Sequence, residues 1–116
     1  MTGKSIKIET LTQVMVEYAE LGKIQVVEAF VTAGVPIDAK TSMGQNAINA
    51  AAAGGHTEAC LRMLDLGFPV DGVDGFGNGP VDMAIYHGHN QTASKLAARG
   101  CSDTRTDTER QANNDR

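Results

Sequence analysis

The chain has 116 residues, of which 41% are hydrophobic but only 4% aromatic, with no Trp. That length fits one domain, and its core must be built from Ala, Val, Leu, Ile and Met, which suits close helix packing and argues against a large internal cavity. A formal charge of −4 offers no electrostatic footprint for a phosphate backbone, so nucleic acid is not an expected partner.

Residues 1–9 form a lead without the apolar core of a secretory signal. No stretch approaches the length of apolar residues that a membrane span needs, so the expectation is a cytoplasmic protein, or one of a host cytosol if it is an effector. A first helix is predicted over about Leu11 to Leu21, with Thr10 and Gln13 placed as a capping box. Gly22 breaks it, and Ile24 to Ala33 forms its partner, with Val26, Val27, Phe30 and Val31 as the apolar face. A second pair follows, Asn46 to Ala53 and Thr57 to Leu66, broken by Gly54-Gly55-His56 and ended by Gly67. The run Phe68 to Gly79 is dense in Gly and Asp and must turn sharply. Pro80 then stands at a helix N1 position, Val81 to His87 forms the short helix, and Asn90 to Arg99 its partner, stopped by Gly100. The tail, residues 104–116, has Ala112 as its one apolar residue and balances three Arg against three acids, a composition expected to be disordered.

These elements repeat at a step of 33 residues. Gly22, Gly55 and Gly88 share the register, as do Gly34, Gly67 and Gly100, and His56 pairs with His89. Asp38 and Asp71, Gly44 and Gly77, and Ala51 and Ala84 fall on the same step. A fixed period in this range marks a stacked array. The order helix, Gly-His, helix, Gly, extended hairpin resembles the ankyrin repeat, on Gly44 to His56 and again on Gly77 to His89. The resemblance implies an all-α solenoid of three helix-turn-helix units, about 10–34, 35–67 and 68–100, joined by β-hairpin-like loops. The family's Thr-Pro-Leu-His tetrad reads Asn46-Ala47-Ile48-Asn49 in one unit and Gly79-Pro80-Val81-Asp82 in the next. Both lose its Thr and His, which implies looser repeats unless Asn49 and Asp82 supply the hydrogen bonds. End units of such an array are expected to carry polar outer faces.

Candidate chemistry is sparse. Gly3-Lys4-Ser5 lacks the upstream Gly of a phosphate loop. Asp71 to Gly79 lacks the alternating ligands and distal Glu of a calcium loop. His87-Gly88-His89 suggests a metal only until His89 is assigned to the helix break, and Cys60 and Cys101 have no ligand spacing and read as reduced thiols. Asn90-Gln91-Thr92 matches a glycosylation sequon by chance. No nucleophile–base pair recurs, so no enzyme, cofactor or metal is expected.

The resemblance implies instead a non-catalytic module, a stand-alone binder, adaptor or inhibitor, that engages a protein through hairpin tips and the concave helix face. Carried onto this sequence, the partner-binding residues are Met43, Gln45, Phe76, Asn78, Tyr86 and His87, with Glu17 and Glu20 from the first unit. Met43, Phe76 and Tyr86 are expected as an apolar strip flanked by Glu17, Glu20, Asp74 and Asp82, which calls for a partner with an apolar knob and a basic rim. The alternative is self-association, so the expected state is a monomer or weak homodimer.

Overall fold

A computed structural model describes residues 7–103. Six helices follow in order: α1 (Ile8–Glu20), α2 (Ile24–Thr32), α3 (Ala47–Ala53), α4 (Thr57–Asp65), α5 (Pro80–Tyr86) and α6 (Asn90–Ala98). They pair as three antiparallel units. α1, α3 and α5 stack in one layer, and α2, α4 and α6 in a second layer behind it. Among the described residues there is no strand, and the loops before α3 and α5 end in tight turns. The architecture is an all-α repeat solenoid.

Each helix is ended by the residues that the period singles out. Gly22, Gly55 and Gly88 take φ of 75°, 74° and 83°, the left-handed turn that Gly adopts without steric cost. The next residue but one starts the partner helix. α3 is capped by Asn46, whose side-chain oxygen accepts from the Asn49 backbone N–H at 2.9 Å. α5 starts on Pro80, and the backbone N–H of Gly79 donates to Asp82 at 3.0 Å. α1 differs from expectation. It starts at Ile8 with Lys7 at the cap and no side-chain cap bond, so Thr10 lies inside the first turn and forms no capping box. The tail at 104–116 and the first six residues of the lead lie outside the described residues.

The core lies between the two layers. Met15, Ile48, Met63 and Leu96 are fully buried, and each such side chain stabilises the fold by roughly 1.5–3 kcal/mol. Val27 and Val81 complete the same contact set. The seam between units is close because its residues are small: Ala47, Ala51, Ala52 and Ala84 are all inaccessible. Cys60 and Cys101 are both buried free thiols.

The units are joined by three kinds of polar bond. The His56 ring Nε2 lies 2.8 Å from the Glu20 carbonyl. The Asn49 side-chain amide donates to the Asn78 carbonyl at 2.7 Å. Thr57 and Thr92 hydroxyls are 2.6 Å apart. On the back of the second layer, Arg62 pairs with Glu28 and Arg99 with Asp65. Both ion pairs are exposed, so they add little stability.

Candidate functional site

The loop before α3 closes on Thr41 and the loop before α5 on Asp74, two residues at the same register. Thr41 N–H donates to the Gln45 carbonyl at 2.8 Å, and its hydroxyl accepts from the N–H groups of Met43 and Gln45 at 3.2 and 3.1 Å. At Asp74 the same three bonds recur: N–H to the Asn78 carbonyl at 2.8 Å, and one carboxylate oxygen accepting from Phe76 and Asn78 at 2.8 and 2.9 Å. A side chain thus staples each tip from inside. Local bonds of this kind let a short loop hold its shape without a strand.

The two tips also brace one another. A Cβ built on Gly44 would lie 2.6 Å from the backbone nitrogen of Gly75, so only Gly permits the approach. The residues held outward are Met43 and Phe76, 71% and 86% exposed. Gln45 and Asn78, at the base of each tip, are exposed as well.

Tyr86 and His87 lie at the end of α5. Tyr86 is 83% exposed, and its ring meets that of His87 edge to face, with centroids 5.2 Å apart. By register Tyr86 stands in one column with Ala53 and Glu20. Glu17 and Glu20 are exposed on α1, and Glu17 accepts from Gln13 at 3.1 Å. The structure therefore brings the tips carrying Met43 and Phe76 together, and Tyr86 against His87.

Two of the flanking acids have other roles. Asp74 bonds the backbone of its own tip and Asp82 the start of α5, whereas Glu17 and Glu20 are exposed on α1. The stapling by Thr41 and Asp74 was not legible in the sequence, because two chemically different side chains do the same job.

Burial pushes the Cys60 thiol up to about 12, and burial likewise raises Cys101. Neither is an activated nucleophile, since the thiolate is the reactive form. Among the described residues no three His, Cys, Asp or Glu side chains are gathered closely enough to hold a metal ion. No helix among them is long and apolar enough to cross a membrane.

The family model described as ankyrin repeats, in three copies, matches residues 15–107. No curated protein matches the chain.

Proposed function

The chain belongs to the ankyrin-repeat family, whose members mediate protein–protein interaction, and from that premise we propose that it is a non-catalytic binder that engages its partner through the tips of its two hairpin-like loops. One observation carries this reading: Phe76 stands 86% exposed on a tip whose backbone is fixed by Asp74 and by the neighbouring tip. An aromatic side chain so placed has its apolar area available, and little loop entropy remains to be lost on binding. Met43 adds a flexible thioether that adapts to an irregular partner surface. Tyr86 and His87 extend the contact to the ends of the inner helices.

The complementary partner is a protein with an apolar contact surface for Phe76 and Met43 and basic groups facing Glu17 and Glu20. The net charge of −4 draws such a rim toward the array. Masking or recruiting that partner in the cytoplasm, as an adaptor or inhibitor, is the role that this reading assigns to the surface. The test is capture of partners by the wild-type chain against Phe76→Ala, Met43→Ala and Tyr86→Ala combined. Loss of capture with an unchanged melting curve supports the reading, and intact capture removes it.

A further inference from the structure

The two ends of the array are not alike, and the repeat register shows why. Positions 14, 47 and 80, and likewise 18, 51 and 84, face the preceding unit. Ala47 and Ala51 are inaccessible, Pro80 and Ala84 are buried, yet Val14 is half-exposed and Tyr18 is 38% exposed. The later units use Ala and Pro at these positions, so that helices can approach. The first unit uses Val14 and Tyr18 there, Leu21, 61% exposed, continues the stripe, and Leu11 at its far edge is half-buried against the core. These bulky residues cannot be a seam for one more regular unit, which would need the small set. Nor are they the polar outer face expected of an end unit. They run at spacings of three, four and three residues along α1, the spacing by which two helices pack along a common seam.

The charges on α1 favour one kind of partner helix. Glu17 and Glu20 occupy its last turns, where the helix dipole prefers cations, and no basic residue lies in its last turn. The exposed Lys7 caps its start, without a side-chain cap bond. An antiparallel copy of the same helix supplies both missing complements. It sets the Lys7 end and the positive dipole end of each α1 beside the Glu17–Glu20 end of the other.

We infer that the outer face of α1 is a self-association surface, on which a second copy of this chain docks as a two-fold antiparallel α1–α1 pair through Val14, Tyr18 and Leu21. Such a contact is isologous and closes as a dimer. A single pair of 13-residue helices is about 20 Å long and falls short of a standard interface, so the dimer is a weak one. This surface shares Glu17 and Glu20 with the proposed acidic rim but not Met43, Phe76 or Tyr86, so variants of Lys7 and Leu21 test the dimer and variants of the tips test partner binding, and either can fail without the other.

Sedimentation equilibrium of the full chain over a concentration series tests it. The expected result is a monomer–dimer equilibrium that Leu21→Glu weakens roughly tenfold or more, by removing an apolar contact and adding a like charge. Phe76→Ala leaves it unchanged. Lys7→Glu weakens the dimer, and Lys7→Glu with Glu20→Lys restores it, which pairing in a parallel sense does not predict. Leu21 and Lys7 are exposed, so unchanged melting of the dilute monomer certifies each variant. A monomer at every concentration overturns the proposal, as does a dimer indifferent to Leu21→Glu or one abolished by Phe76→Ala.

Discussion

Gly55 lacks a side chain for a reason beyond its turn conformation. A Cβ there would lie 2.6 Å from Nδ1 of His89 in the next unit, and Gly22 stands in the same relation to His56. Gly88 shares the backbone geometry but has nothing within 4 Å. Substituting Ala at either site incurs the left-handed backbone cost of about 1–2 kcal/mol. Gly55→Ala must in addition displace the imidazole, so it should lose about 1–3 kcal/mol more than Gly88→Ala, read from urea midpoints. Equal losses would mean that the ring yields freely. Asn49 offers a second contrast. Its amide links two units through Asn78, while its side-chain oxygen is buried without a partner. Asn49→Ala should lose about 1 kcal/mol, the usual net value of one hydrogen bond. Asn49→Asp replaces the donor by a buried charge beside a carbonyl and should lose clearly more, about 2–4 kcal/mol, in the same assay.

The helices are short enough that their stability must come from stacking. α3 and α5 have seven residues each, below the length at which a helix is stable alone in water. Their ends were legible because Gly, Pro and Asn punctuate them with a known mechanism. α1 starts three residues before the Leu11 that the sequence suggests, since Ile8-Glu9-Thr10 carries no breaker and Thr10 resembles a cap. The tetrad losses were legible as losses, but their replacement was not. Asn49 spans to the next unit, whereas Asp82 bonds within its own, a distinction that depends on which backbone group each side chain meets. The buried face of α4 yields a prediction about pH. Cys60 titrates at 9.0 when exposed and at about 12 when buried in the folded chain. Between those values the unfolded chain has released a proton that the folded chain retains. Stability should therefore be insensitive to this thiol below pH 9 and fall as pH rises toward 12, a loss that Cys60→Ser removes from the alkaline branch of the melting profile.

At the scale of the whole molecule, the 33-residue period fixes the stack and its departures mark the surfaces that are free to interact. Met43, Phe76, Tyr86 and His87 all proved exposed, as the pattern of non-repeating residues suggested. The ring contact between Tyr86 and His87 was beyond sequence reasoning, because it depends on the side-chain geometry at the end of α5. The outer face of α1 was missed for a different reason. A single helical stripe reads as core, and only the stack shows that Tyr18 and Leu21 are exposed among the described residues. The central claim is that the braced tips are what a protein partner recognises. The most direct test is parallel affinity capture by the wild-type chain, the Met43→Ala, Phe76→Ala, Tyr86→Ala variant and an Arg62→Ala control on the opposite layer, with bound proteins identified by mass spectrometry. At least one protein retained by the wild type and the control, and lost from an equally stable tip variant, is the predicted result. The same bound set from all three chains would contradict it.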